Sequence, residues 1–112
     1  MSDCLFCKII SGEIPSSKVY EDDVCLAFND IDPQAPVHFL VIPKTHIDSV
    51  AEVNGGNSAV VAHIFEVIAK ITKEKNIESY RVVSNIGEQA GQSVHHLHFH
   101  VLAGRDMTWP PG

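Results

Sequence analysis

The chain has 112 residues, of which 45% are hydrophobic, and its formal net charge is −6. This length and composition predict one globular domain over residues 1–112 with its own buried core, and they exclude a disordered chain. The negative charge argues against nucleic acid or an anionic membrane as the main partner, although a local cradle can still bind a phosphate-bearing small molecule. No apolar run is as long as a membrane span and no signal-like segment opens the sequence, so we expect a cytoplasmic protein.

The first half of the chain predicts a short helix followed by short strands. The helix is expected over residues 4–11 and ends at Gly12. Segments 19–21 and 24–29 flank an acidic turn and predict a β-hairpin, and a further strand is expected over 38–42. Between them, residues 30–36 contain two prolines and predict a braced loop that can aim its side chains.

The second half predicts one long helix and two strands. From Ser58 to about Lys75, apolar residues at 60, 61, 64, 65, 68 and 71 form one amphipathic stripe, with Asn57 or Ser58 as the cap. His63 falls on the polar side of this helix, where we expect it to be solvated. A strand over 80–84, a glycine-containing loop over 85–93 and a last strand complete an α+β fold with an antiparallel sheet.

The last strand carries His96, His98 and His100 at alternate positions. Alternate residues of a strand share one face, roughly 6.5–7 Å apart at each step, and the apolar residues between them face a core. Burying imidazoles without a use is costly, so this face indicates catalysis or metal binding. A zinc ion held by all three histidines is disfavoured because the three are spread along the strand, and one ion would more easily take two of them.

The loop before this strand can bind an anion. Gly87 and Gly91 allow backbone N–H groups to turn inward, and Ser93 adds a hydroxyl donor. A phosphate held there would lie beside a neutral imidazole, which is a good nucleophile toward phosphorus. The combination predicts chemistry on a phosphate group.

Residues 91–102 resemble the signature of the histidine triad (HIT) superfamily, in which alternating histidines form the catalytic strand. Residues 28–44 resemble the nucleotide-binding half of the same family, and the C-terminal tail 104–112 is similar to that of its Hint branch, the histidine triad nucleotide-binding proteins. The resemblance implies a five-stranded antiparallel sheet with one long and one short helix. It also implies a homodimer whose two sheets form one continuous ten-stranded sheet.

The resemblance assigns catalytic roles to matched positions. His98 would be the nucleophile that forms a transient nucleotidyl-histidine, and His100 would contact the phosphate. His38 would hydrogen-bond into the triad, which His96 begins, and Ser93 would lie near the leaving group. The implied nucleotide-binding residues, with Asp30 on the ribose hydroxyls, are Phe6, Phe28, Asp30, Ile31, Leu40, Asn85, Gly91, Gln92, Ser93, His98, Phe99 and His100.

Cys4 and Cys7 need a separate interpretation. A redox pair normally follows a strand and opens a long helix, and neither is predicted here. The resemblance implies instead a structural zinc ion on Cys4, Cys7, His46 and His96, a closed set that leaves His98 free and is not required for the chemistry. The alternative is two ordinary thiols on a short helix.

The resemblance implies a purine nucleoside phosphoramidase that releases a nucleoside monophosphate. Its partners would be a purine nucleotide and a second copy of the chain, with no nucleic acid and no membrane. One alternative is a dinucleoside polyphosphate hydrolase of the same superfamily. Others are a nucleotide-binding module that works through a protein partner and a metallohydrolase with zinc on the triad.

Overall fold

A computed structural model describes residues 4–112; the first three residues of the predicted domain lie outside the described range. Two α-helices and five β-strands follow one another along the chain. They are α1 (Leu5–Ile10), β1 (Lys18–Glu21), β2 (Cys25–Asn29), β3 (Val37–Pro43), α2 (Ser58–Glu74), β4 (Tyr80–Val83) and β5 (Phe99–Ala103). All described strand pairs are antiparallel, and the order across the sheet is β1-β2-β3-β5-β4.

The predicted elements agree with this architecture to within a residue or two, except at the histidine strand. The acidic turn joins β1 to β2, and Gly12 follows α1 with a φ of +85°, a left-handed conformation that suits glycine. Asn57 occupies the cap position of α2, but its side-chain oxygen accepts from the Asn54 N–H and makes no capping hydrogen bond.

The two faces of the sheet support two separate apolar clusters. The cluster on the α2 side includes Ile64 and Ile68 of the helix, with Phe39 and Val41 of β3. Strand alternation sends Leu40 to the opposite face, where it joins Phe6, Ile9, Leu26, Phe28 and Ile42 beneath α1. The histidine face of the sheet is therefore the α1 side, and α2 supports it from behind.

The helical period predicted for the apolar stripe of α2 is correct, but two of its positions differ from the prediction in their burial. Val67 is buried, whereas Phe65 is 46% exposed and packs edge-on against Phe99, with ring centroids 5.1 Å apart. The side chain of His63, which was expected to be solvated, is 35% exposed, and its Nε2 also lies 2.7 Å from Asp22 Oδ2 at the β1–β2 turn. Within the described residues, no helix is long and apolar enough to cross a membrane.

The last strand begins three residues later than predicted. β5 pairs with β3 from Phe99 onward, opposite Val41, so His96 and His98 precede the ladder. Pro43 explains this boundary because it has no N–H to donate, and its carbonyl accepts from His96 Nε2 at 2.9 Å. Other bonds fix the segment: the Leu97 N–H donates to the Ile47 carbonyl, and the Ser84 hydroxyl donates to the His98 carbonyl at 2.8 Å.

Candidate active site

The structure brings the triad histidines and His38 into one row on the α1 side of the sheet. His100 lies on β5 opposite Leu40 of β3, and His38 lies further along β3. Ring centroids are 5.1 Å apart for His98 and His100, and also 5.1 Å apart for His38 and His100. His96 is fully buried at the other end of the row, next to His46.

His98 is held in one tautomer. Its Nδ1 lies 2.7 Å from the main-chain carbonyl of His96, and since a carbonyl can only accept, Nδ1 carries the proton. Nε2 is therefore an unprotonated nitrogen, and within residues 4–112 no other group hydrogen-bonds to the ring. Burial lowers the pKa of His98, although the carbonyl bond and Asp30 oppose this. The arrangement presents a neutral imidazole with a free lone pair.

A chain of hydrogen bonds fixes the tautomers of His38 and His100. The Gln34 main-chain N–H donates to His38 Nδ1 at 3.0 Å, so His38 carries its proton on Nε2. That proton points to His100 Nδ1 at 2.9 Å, which leaves the His100 proton on Nε2 as a donor. Burial, together with the neighbouring His98 and His38, lowers the pKa of His100 to about 4, and Asp30 works in the opposite direction.

The Asp30 carboxylate faces this pair. Its Oδ1 accepts from the Asp32 N–H at 2.8 Å, which fixes its orientation. Its Oδ2 lies 3.4 Å from His38 Nε2 and 3.9 Å from His100 Nδ1. The Asp30 side chain is thus close to both histidines and remains partly accessible to solvent.

The loop before β5 owes its shape to Gln92. This side chain is buried: its amide nitrogen donates to the carbonyls of Asp48 and Val94, and its oxygen accepts from the Gly87 N–H. Gly87 and Gly91 have φ values of +85° and +99°, the conformations that the glycines were expected to supply. Because all three of its bonds are internal, the Gln92 side chain shapes the loop and has little left to offer a ligand.

Two further loop residues lie where a ligand could reach them. A Cβ added to Gly91 would meet Asn85 Nδ2 at 3.5 Å, so these two residues are neighbours. Ser93 is exposed and lines a cleft of about 470 Å³ together with Asp48 and His95. Gly91 and Asn85 are thus adjacent, whereas neither of them lines the cleft beside Ser93.

Three of the residues expected to hold the base are buried side by side. Phe6, Phe28 and Leu40 are each 5% exposed, and the Phe6 and Phe28 rings meet edge to face with centroids 5.6 Å apart. Ile31 is fully exposed on the proline-braced loop and does not pack with them. Phe99 needs a correction, since strand alternation sends its side chain to the α2 side, and only its main chain can face a ligand beside the triad.

The four residues predicted to bind zinc lie together. The sulfur and ring-nitrogen atoms of Cys4, Cys7, His46 and His96 all lie within 4.8 Å of one another. Nδ1 of His96 lies 3.3 Å from Cys4 Sγ and 3.6 Å from Cys7 Sγ, and His46 Nδ1 lies 3.4 Å from Cys7 Sγ. Tetrahedral zinc with ordinary Zn–S and Zn–N bonds separates its ligand atoms by roughly 3.5 Å, so the four fit that ion.

The surroundings of His96 also suit a metal ligand. The Pro43 carbonyl accepts from Nε2, so Nδ1 keeps its lone pair directed at the cysteines. Burial lowers the pKa of His96, which keeps the ring neutral. Burial and the neighbouring Cys4 thiol raise the pKa of Cys7, a pKa that a bound cation would lower.

Sequence reasoning missed contributions of the main chain. The Gln34 N–H fixes the His38 tautomer, and the His96 carbonyl fixes that of His98. The proline-braced loop over residues 30–36 indicated that the main chain near Gln34 is fixed. Nothing in the residue pattern predicts the bond between the His96 carbonyl and His98. Phe6 was expected only at the base, yet its ring also packs edge-on against His98, with centroids 5.1 Å apart.

Comparison with known proteins agrees with this geometry. The family model described as "Scavenger mRNA decapping enzyme C-term binding" matches residues 3–109. An uncharacterised HIT-like protein of Synechococcus elongatus is 49% identical over 98% of this chain and 97% of its own length. A HIT family hydrolase from Legionella pneumophila superposes with a TM-score of 0.95 at 48% identity, covering 98% of this chain and 100% of that one.

A histidine triad protein from Clostridium difficile gives a TM-score of 0.92 at 52% identity, covering 96% of each chain. The antiparallel five-stranded sheet with two helices is the fold that these structures share with the chain. Their names and the buried histidine row together indicate a hydrolase-like protein. The chain belongs to the histidine triad family.

Proposed function

We propose that the protein is a purine nucleoside phosphoramidase of the Hint branch, which cleaves a phosphorus–nitrogen bond through a nucleotidyl-histidine on His98. The observation that supports this most directly is the 2.7 Å bond from His98 Nδ1 to the His96 carbonyl, which leaves Nε2 ready to attack. The buried, neutral state of this ring supports the same role.

The reaction has two steps. In the first, His98 Nε2 attacks phosphorus, the phosphorus–nitrogen bond breaks, and the departing nitrogen takes a proton. In the second, water attacks phosphorus, gives up a proton, and displaces His98 to release the nucleoside monophosphate. The N–H on His100 Nε2 donates to a phosphoryl oxygen in both steps, together with the Ser93 hydroxyl. The N–H groups of Gly91 and Gln92 donate to the carbonyls of Glu88 and Gly87, so these two groups shape the loop.

The nucleoside end of the substrate is assigned to the α1 side of the sheet. The base contacts the rim of the apolar cluster that contains Phe6, Phe28 and Leu40, with Ile31 closing over it from the loop. A carboxylate offers about four acceptor positions, and the Asp32 N–H occupies one of those on Asp30, so the ribose hydroxyls can use others. Asn85 lies beside the phosphate loop.

We propose that Cys4, Cys7, His46 and His96 hold a structural zinc ion. Bound there, zinc would fasten α1 to the segment that precedes the nucleophile. The ligand distances near 3.5 Å and the Pro43 carbonyl behind His96 support this. The ion takes no part in the reaction steps.

We also propose a homodimer that joins the β4 edges of two sheets into ten strands. β4 is an end strand of the sheet, with its outer edge unpaired within the described chain. Exposed apolar residues lie on β4 and in the elements beside it, namely Phe65, Tyr80 and Ile86. Such a surface is typical of an interface between copies.

The proposed ligand of the site is a purine nucleotide. A cytoplasmic location remains a prediction from the sequence.

A steady-state assay tests the proposed activity. Adenosine and guanosine phosphoramidates are compared with dinucleoside polyphosphates, the substrates of the second candidate, for the protein and for two variants. We expect the phosphoramidates to have the higher kcat/KM, and His98→Ala to abolish their turnover. His63→Ala is the matched control, because this histidine lies on α2, on the opposite side of the sheet from the triad, and should leave turnover unchanged. Higher kcat/KM for the polyphosphates would replace the proposal with the second candidate.

A further inference from the structure

The position of the Asp30 carboxylate suggests more than ribose binding. Its Oδ2 lies 3.4 Å from His38 Nε2 and 3.9 Å from His100 Nδ1, beside the 2.9 Å hydrogen bond that joins these two nitrogens. The side chains of Asp30 and His38 are only 18% and 4% exposed. A negative charge so close to two partly desolvated imidazoles acts on the charge of the pair.

Counting protons on the pair shows what Asp30 adds. With one proton between the two nitrogens, His38 Nε2 donates to His100 Nδ1 and both are satisfied. If His100 gains a second proton on Nδ1, two N–H groups face each other and one needs another acceptor. His38 cannot move its own proton to Nδ1, because the Gln34 N–H occupies that position. Asp30 Oδ2 lies 3.4 Å and 3.9 Å from these two nitrogens, which are ion-pair distances rather than hydrogen bonds, so its charge can stabilise the added proton.

Among the residues that the structure describes, few other charged groups lie near the pair. His98 faces His100 from the segment before β5 and disfavours a charge there. Lys75, at the end of α2, shares a cleft of about 320 Å³ with Asp30 and His38. Arg81 of β4 donates to the Thr108 carbonyl, and Arg105 donates to the Gln34 carbonyl, so both side chains are directed at main-chain groups. Asp30 is the carboxylate in contact with the pair.

We propose that Asp30 is a positioning residue that stabilises the cationic form of the His38–His100 pair, so that this pair can hold the proton exchanged during turnover. This inference rests on the proposed function for its role in the reaction, whereas its electrostatic part concerns the free protein. The pair is neutral in the free protein near pH 7, because burial lowers the pKa of His100 to about 4. Beside the bound phosphate anion and Asp30 it takes up a proton from solvent, and in the first step it gives this proton to the departing nitrogen as the phosphorus–nitrogen bond breaks. In the second step it regains a proton from the attacking water, which restores the starting state.

The electrostatic part is tested without substrate by an NMR titration of histidine ring signals. The free protein is compared with Asp30→Asn and with Asp32→Asn, an exposed carboxylate on the same loop. We expect the midpoint of the His100 titration in Asp30→Asn to move about one pH unit lower, so that at about pH 4.5 a several-fold smaller fraction is protonated. Asp32→Asn should leave the midpoint near that of the parent protein. Equal midpoints for both variants would overturn the inference.

The kinetic part uses the pH profile of adenosine phosphoramidate turnover. In Asp30→Asn we expect kcat near neutral pH to fall about tenfold and its high-pH limb to move to lower pH, with partial recovery in Asp30→Glu. A role confined to the ribose would raise KM and leave the kcat profile in place, and this outcome overturns the inference. A further outcome is that the parent protein shows no turnover while the NMR midpoint of Asp30→Asn moves as expected. In that case the proposed function is wrong, but the inference that Asp30 stabilises the cationic form of the pair is supported.

Discussion

At the scale of single residues, the site depends on which ring nitrogen carries each proton. Main-chain groups settle this for three histidines: the Gln34 N–H for His38, the Pro43 carbonyl for His96, and the His96 carbonyl for His98. Main-chain groups do not titrate, so they hold each tautomer over a wide pH range. The active surface is thus prepared before any ligand arrives.

Burial of His100 predicts a loss of stability in mild acid. Its pKa is about 4 in the folded chain, against about 6.5 unfolded, because burial and two neighbouring histidines disfavour its charge. As pH falls through this window the unfolded chain binds a proton that the folded chain does not, so the free energy of unfolding decreases. We expect His100→Gln to remove on the order of 2 kcal/mol of the loss between about pH 7 and pH 4.5.

Urea unfolding at the two pH values measures this difference. The exposed His95 provides the control, since His95→Gln should leave the pH dependence of the parent protein intact. An unchanged pH dependence in His100→Gln would show that the folded site does not disfavour the charge on this ring.

At the scale of elements, Asp22 joins the β1–β2 turn to α2. One oxygen accepts from the main-chain N–H groups of Val24 and Cys25, and the other from Tyr20 and His63. Burial by itself would raise the pKa of Asp22, but these hydrogen bonds, beginning with the one from His63, outweigh it and lower the pKa. The stability that Asp22 supplies is present above the unfolded pKa near 4 and is lost as pH falls below it.

Replacing Asp22 should loosen this junction. We expect Asp22→Asn to lower the free energy of unfolding at neutral pH by about 1–3 kcal/mol, because all four hydrogen bonds lose the charge of the carboxylate. Urea unfolding against Asp23→Asn, the exposed neighbouring carboxylate, measures the effect. The two variants would have the same stability if the junction contributes nothing.

The cysteine pair gives a second prediction for an element, the short helix α1. Protein made without chelators should contain close to one zinc per chain, since the four ligand atoms form a closed set. Cys4→Ser and Cys7→Ser should each lose most of the metal and lower the melting temperature, whereas Cys25→Ser should keep the metal, because Cys25 is buried on the other side of the sheet. Elemental analysis that finds no zinc in the parent protein would reduce the pair to two thiols.

The sequence predicted the elements better than it predicted the contacts between them. The period of α2 and the glycines at turns are local properties, and both were predictable. The start of β5 was not predictable, because it depends on Pro43 of β3, which is adjacent in the sheet but 53 positions away from His96 in the sequence. The pairing of His63 with Asp22 also joins residues 41 positions apart, and helix periodicity alone places His63 in solvent. The histidine row was predictable because strand alternation is strict.

At the scale of the whole molecule, the proposed dimer predicts a mass of twice 12.3 kDa. Light scattering at micromolar concentration measures it directly. A continuous ten-stranded sheet would cover the β4 edge, which otherwise leaves main-chain groups unpaired. The mass of a single chain would contradict the dimer.

The C-terminal tail gives a second prediction at this scale. Trp109 is 82% exposed, so it adds little to the core of its own chain. In the dimer we expect it to reach the leaving-group side of the partner's site. Removing residues 109–112 should therefore change the ratio of kcat/KM between phosphoramidates with different amines, with little effect on the melting temperature. Trp109→Ala should reproduce the change, and equal ratios in all three proteins would exclude a role for the tail.

The covalent step on His98 is the central claim, and trapping the intermediate tests it most directly. The protein is mixed with an adenosine phosphoramidate, quenched within one turnover, and digested for mass spectrometry under conditions that preserve phosphorus–nitrogen bonds. The account predicts an added adenylyl group on the peptide that contains His98, located on that residue by fragmentation and absent from His98→Ala. An adduct on another residue, or normal turnover in His98→Ala, would contradict it.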